Sequence, residues 1–196
     1  MVPVIDLHSP PELSAKNIAA ACAEGGIFHV VNHGVDAKLI EALQDACQIF
    51  FGLPLNSKQA VSRTIDNPFG YYDRELTKNL RDCKEIFDFA PGGTTPWPSE
   101  PAGFQATLED YATASQRLAI QLLAVCCKGL DAAQDSLRSH FQQGHSSFLR
   151  LHHYPTIDLL AEADVPPPGS HGISQHSDAG ALTILLQDDV MGLEAL

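Results

Sequence analysis

Positive charge is what this sequence has least of: twelve Lys and Arg stand against twenty-four Asp and Glu, a formal charge of −12. The basic residues are scattered, and phosphate backbones are held by clustered cations, so a nucleic-acid partner is not expected and an anionic membrane surface is disfavoured. Cysteine is also sparse. The five residues (Cys22, Cys47, Cys83, Cys126 and Cys127) are odd in number and show no Cys-x-x-Cys spacing, which argues against a disulfide framework or a zinc ribbon and for buried free thiols in a reducing compartment. No basic segment precedes an apolar run at the N-terminus, so no secretory signal is expected. The longest strongly apolar stretch, Leu118 to Cys127, is interrupted by Gln121 and is too short to span a bilayer. A cytoplasmic protein binding neither membrane nor nucleic acid is the expectation.

What is present suits a packed domain. The 196 residues are 44% apolar and 18% charged, enough for one domain with a real core or one domain plus an appendage. Pro3 to Leu7 reads as a short strand. Apolar spacing predicts a helix over about Pro11 to Ala23, ended by Gly25 and Gly26. Ile27 to Val31 is β-branched and aromatic, a second strand. Asn32-His33-Gly34 supplies a turn, and Asp36 an N-cap for a helix through Phe51. One short helix is expected between Pro54 and Asn67. A strand follows over Glu85 to Phe89, where Phe87 and Phe89 fill a core face, and then an exposed Pro-rich loop over Thr94 to Gly103. A long helix spans about Phe104 to Leu130, with a short one over Ala133 to Gln142. Strands are expected over Ser147 to Tyr154, His171 to Asp178 and Ala181 to Leu186, with a surface loop over Asp164 to Gly169 and a turn at Gln187 to Asp189. Helices first and strands later predict an α+β arrangement.

His176-Ser177-Asp178 carries the chemistry. Residues two apart on an extended strand face the same side, so an imidazole and a carboxylate stand together, two-thirds of the facial triad that holds non-haem Fe(II) with open positions. Spacing alone is a weak signal: chance gives roughly 0.7 such pairs in a chain of this composition. Context raises it. The run from His176 through Ala181-Leu182-Thr183-Ile184-Leu185-Leu186 to Glu194 resembles the metal-binding segment of the 2-oxoglutarate/Fe(II)-dependent oxygenases, in the branch with isopenicillin N synthase and the flavonoid and gibberellin oxygenases. Pro3-Val4-Ile5-Asp6-Leu7, Gly26 to Val35, Phe50 to Pro54 leading to Lys58, Gly70-Tyr71-Tyr72 and Lys84 to Phe89 are similar to further segments of that family, in the same order.

The resemblance implies a fold and a site. The fold is an α+β one, an N-terminal helical layer packed on an incomplete double-stranded β-helix (jelly-roll) core, with residues 1–130 the N-terminal region and 131–196 the first part of the jelly-roll. His176 and Asp178 are implied as iron ligands. Tyr154, on the strand Leu149 to Pro155, is implied as the contact for 2-oxoglutarate. Many relatives carry Asn where this chain has His152; His152, His153 and His171 are not expected to bind metal. The implied cofactors are Fe(II), 2-oxoglutarate and dioxygen. The implied reaction couples oxidative decarboxylation of 2-oxoglutarate to hydroxylation, desaturation or ring closure of a small organic substrate. The family's second iron histidine and its Arg-x-Ser element have no counterpart in these residues, so a truncated record is expected. An oxidase of the isopenicillin N synthase type, working without 2-oxoglutarate, and a non-catalytic fragment are the alternatives.

Overall fold

The computed structural model describes residues 1–141, 146–161, 165, 167–169, 171–178 and 180–194. The chain divides into two compact units: residues 1–40, 113–145 and 180–196 form one, and 41–112 with 146–179 the other.

In the first unit, strand β1 (Val4–Asp6) pairs in parallel with β2 (His29–Val31). Helix α1 (Pro11–Glu24) joins them. Its N-terminus uses proline rather than a polar cap: Pro11 occupies the first helical position, where its missing N–H costs nothing. Gly26, with φ +70°, takes the left-handed conformation that follows the helix end. The turn after β2 behaves as its residues dictate. Asn32 (φ 55°) and Gly34 (φ 76°) adopt left-handed backbone, and the Asn32 amide donates to Asp6 Oδ1 at 2.7 Å, tying the ends of the two strands. Asp36 then caps α2 (Ala37–Phe51) by accepting from the Lys38 N–H at 2.9 Å. Ile5 and Ile18 pack with Leu118 and Leu122 of α4 (Phe104–Gly129) as the core of this unit. At Gly129 α4 runs close against α1: a Cβ there would sit 2.7 Å from the Ala15 carbonyl oxygen.

The second unit is built on an antiparallel sheet in the order β3 (Gly70–Tyr72), β6 (Glu85–Phe89), β7 (Leu149–His153). Between β3 and β6 lies the small hairpin of β4 (Leu76–Thr77) and β5 (Leu80–Arg81). The register of the main sheet gives it two distinct faces. Tyr71, Glu85, Phe87, Phe89, Leu151 and His153 share one face; Tyr72, Ile86, Asp88, Arg150 and His152 share the other. The first face is roofed by aromatic rings: Phe50 touches Phe51, Tyr71, Phe87 and Phe104, with centroids 4.8–6.4 Å apart. The short helix α3 (Leu55–Gln59) delivers Lys58 to the edge of this face.

Some expectations require correction. The Pro-rich loop over residues 94–103 is not simply exposed: Trp97 packs against Phe87, Phe89 and Phe104, and Pro101 is buried. The short helix over Ala133 to Gln142 is a 3₁₀ turn at Arg138–Phe141; Gln142 lies outside the described residues. His171 to Asp178 and Ala181 to Leu186 are not strands. Leu182 and Ile184 do alternate toward the core of the first unit, so the period of two is real. A strand, however, needs a partner to complete its ladder, and no described residue pairs with either segment. The loop over Asp164 to Gly169 lies partly outside the described residues. Its described part includes Gly169, whose N–H donates to the Arg81 carbonyl at 2.8 Å. No helix is long and apolar enough to cross a membrane.

Candidate functional site

The site residues expected from the sequence, Tyr154, His176 and Asp178, all fall within the second unit. Beyond Tyr72 and Ile86, the face opposite the aromatic roof is polar. Arg150 grips Asp88 through two 2.7 Å bonds and reaches Glu75 at 3.1 Å. Glu75 also accepts from Arg63 at 3.1 Å and lies 3.5 Å from Lys84, which pairs with Asp82 at 3.0 Å. Arg63 in turn lies over the Tyr72 ring, 3.4 Å from its centroid. Three cations and three carboxylates thus neutralise one another, as ionic groups withdrawn from water require. Lys84, 1% exposed at its side chain, and Asp82 would be costly to bury separately.

Beside this lattice stand His152 and Tyr154, two apart at the end of β7. Their rings are parallel within 8°, with centroids 5.9 Å apart, and His152 Nδ1 is 3.4 Å from the Tyr154 hydroxyl. Loss of hydration and the charges of Lys84 and Arg150 lower the His152 imidazole from 6.5 to about 4, so the ring is neutral near pH 7. Burial and the Asp82 charge raise the Tyr154 phenol above its usual value, against a smaller opposing effect of Arg150. Its hydroxyl keeps its proton and can donate.

His176 and Asp178 lie side by side although their segment is not a strand. His176 Nε2 is 3.4 Å from Asp178 Oδ1. Nδ1 is 2.9 Å from the Ser174 carbonyl, which can only accept, so Nδ1 must carry a proton. In the neutral ring this leaves the Nε2 lone pair facing a carboxylate oxygen. Two acceptors so placed invite a cation between or beside them. Donors about 2.1 Å from an ion and at right angles are about 3 Å apart, close to the spacing here. A backbone carbonyl that fixes the tautomer of a ligating histidine is the usual outer support of such a site. Among the described residues no group of three His, Cys, Asp or Glu side chains gathers to hold an ion. His176 and Asp178 therefore fit two protein positions of a metal centre and no more.

Two further features were invisible to motif reading, one of them on the opposite, aromatic face of the sheet. Lys58, Tyr71 and His153 all donate to Glu85, at 2.7, 2.6 and 2.8 Å. The signal for this knot was a Glu inside a strand whose every residue is buried, which calls for partners. Gly172, against the Tyr154 ring, left no signal at all.

The mixed helix-and-sheet fold is that of the 2-oxoglutarate/Fe(II) oxygenases, the double-stranded β-helix class. Residues 2–106 match the family described as non-haem dioxygenase in morphine synthesis N-terminal, and the chain belongs to that family. Flavonol synthase/flavanone 3-hydroxylase of Arabidopsis thaliana is 28% identical over 98% of this chain and 59% of its own length. JOX2, solved with 2OG, Fe and JA, superposes with a TM-score of 0.71 at 26% identity, over 80% of this chain and 49% of that one. A full-length Neurospora crassa protein, solved in complex with alpha-KG and thymine, has the same fold with a TM-score of 0.69 at 23% identity, over 79% of this chain and 55% of that one. The chain thus spans about half to two-thirds of the length of the curated relatives it matches.

Proposed function

We propose that these residues carry the first part of the active site of an Fe(II)- and 2-oxoglutarate-dependent dioxygenase acting on a small organic molecule. His176 Nε2 and the Asp178 carboxylate would hold the iron, and the Tyr154 hydroxyl would donate to a carboxylate of 2-oxoglutarate. The observation that carries this reading is the placement of His176 Nε2 3.4 Å from Asp178 Oδ1, with Nδ1 2.9 Å from the Ser174 carbonyl.

When bound, Fe(II) with 2-oxoglutarate supplies dioxygen activation and oxidative decarboxylation to succinate and carbon dioxide. The chain's own residues do quieter work. Ser174 fixes the imidazole tautomer. Tyr154, kept protonated by its surroundings, offers a donor in a fixed direction along the His152 ring. His152, neutral near pH 7, adds no positive charge to repel an incoming metal ion. The ion lattice of Arg150, Lys84, Glu75, Asp82 and Asp88 is satisfied internally, so it frames the site without competing for the iron. Five free thiols support a reducing, cytoplasmic setting, in which Fe(II) persists.

Mn(II), a redox-stable stand-in, tests the reading by electron paramagnetic resonance of the free ion. One ion should bind per chain, with affinity falling at least tenfold in His176→Ala and in Asp178→Ala. Added 2-oxoglutarate should tighten binding, and Tyr154→Phe should remove that gain. A chain that leaves millimolar Mn(II) free, or variants that bind it as well as the parent, would refute the assignment.

A further inference from the structure

We infer that Gly172 is a positioning residue: its missing side chain lets the segment bearing His176 and Asp178 seat against the Tyr154 ring. The inference rests on the metal-site reading given under Proposed function and deepens it. A Cβ at Gly172 would come within 2.9 Å of Tyr154 Cε1 and 3.3 Å of Cγ, and nearer still to Cδ1. Those atoms belong to the body of the ring, not to the far end of a flexible chain. By turning aside, the ring would lose its parallel placement beside the His152 imidazole and the 3.4 Å approach of its hydroxyl to Nδ1.

The backbone at Gly172 is not the reason for glycine. Among the described residues the glycines with positive φ are Gly26, Gly34, Gly70, Gly92, Gly103 and Gly180, and Gly172 is not one of them. An alanine would find its φ acceptable and its Cβ blocked. The requirement is therefore for contact alone, which makes it separable by experiment.

The consequence reaches the metal pair by a short route. Ser174, two residues on, offers the carbonyl that fixes His176 Nδ1 at 2.9 Å, and Asp178 follows two residues after His176. The segment has no strand ladder among the described residues, so packing must do what a ladder does elsewhere. An ångström of lift at Gly172 would move the Ser174 carbonyl and release the imidazole tautomer, while swinging the ring instead would take the Tyr154 hydroxyl off its line. The clamp thus couples the cosubstrate contact to the metal ligands.

A double-mutant cycle on the full chain tests this. Gly172→Ala should weaken Mn(II) binding at least tenfold in the parent. In the Tyr154→Ala background, where the ring is gone, the same substitution should change Mn(II) affinity less than twofold. Hydrogen exchange supplies a second readout that needs no metal: Gly172→Ala should speed exchange in residues 171–178, and Tyr154→Ala should abolish that increment. If Gly172→Ala binds Mn(II) like the parent while His176→Ala does not, the positioning role is wrong and the metal site stands. If the parent binds no Mn(II), the metal reading falls, and unchanged exchange in Gly172→Ala would overturn the clamp as well.

Discussion

Glu85 shows how a single buried charge is kept. Its side chain has no solvent exposure, and burial alone would raise its carboxyl. Hydrogen bonds from His153, Lys58 and Tyr71, with the Lys58 charge, outweigh that, and the net shift is downward. Lys58 spends its remaining reach on the Phe51 carbonyl at 2.9 Å. Glu85→Gln leaves this ammonium buried without a counter-charge, and should lower unfolding free energy by about 3 kcal/mol in urea titrations. An isosteric change costing under about 0.5 kcal/mol would show that Lys58 finds water. The pH dependence follows from the signs. A carboxyl whose folded value is depressed gives stability above its ordinary value near 4.5, lost as pH falls below it. His152 acts earlier: the unfolded ring takes its proton near 6.5 and the folded one only near 4, so stability should decline between those values. Urea midpoints should be flat between about pH 7 and 8, below the range where unfolded thiols ionise, and fall in two overlapping stages below pH 7. His152→Asn should remove the upper stage only.

At the scale of elements, the loop carrying Trp97 is held by packing as well as by hydrogen bonds such as that from the Asn67 amide to the Thr94 carbonyl at 2.6 Å. Trp97 is half-buried against Phe87, Phe89 and Phe104. Trp97→Ala should cost about 2–3 kcal/mol, toward the low end for aromatic truncation because the ring is only partly enclosed. Ser99→Ala, on the exposed part of the same loop, should stay within about 0.5 kcal/mol in the same thermal or urea assay. Equal costs would mean the loop moves as a free segment. This contrast also marks what was legible in the sequence. Helices α1, α2 and α4 and strands β1, β6 and β7 were readable because most carry their own period and some their own ends, such as Gly25-Gly26 after α1 and Asp36 before α2. The loop was read as exposed because its proline content describes backbone and says nothing of where one indole lands. Residues 171–178 and 181–186 have the composition of strands, but pairing is a property of two segments, and local sequence reports only one. The candidate site divides the same way. His176, Asp178 and Tyr154 were visible through motif and resemblance, whereas Gly172 and the Arg150–Asp88–Glu75 lattice depend on which elements the fold brings together.

Taken whole, the molecule carries an unbalanced charge that its internal ion pairs do nothing to relieve. Lys58, Arg63, Arg81, Lys84 and Arg150 are matched by Glu85, Glu75, Asp158, Asp82 and Asp88. Removing those five of each sign from twelve basic and twenty-four acidic residues leaves seven against nineteen. The excess therefore sits among the remaining, mostly exposed groups, where it repels itself and favours expansion. Salt acts on the two populations unequally. Raising NaCl from about 0.01 to about 0.1 M shortens the screening length from about 30 to about 10 Å, which weakens repulsion between distant surface charges but scarcely touches partners in contact and withdrawn from water. The surface effect should win. The protein should gain about 1 kcal/mol, roughly 3 °C in Tm by calorimetry, over that range. A Tm that fell with salt would show instead that the ion lattice behind Arg150 is open to solvent and that the site's frame is held by charges the ions can reach.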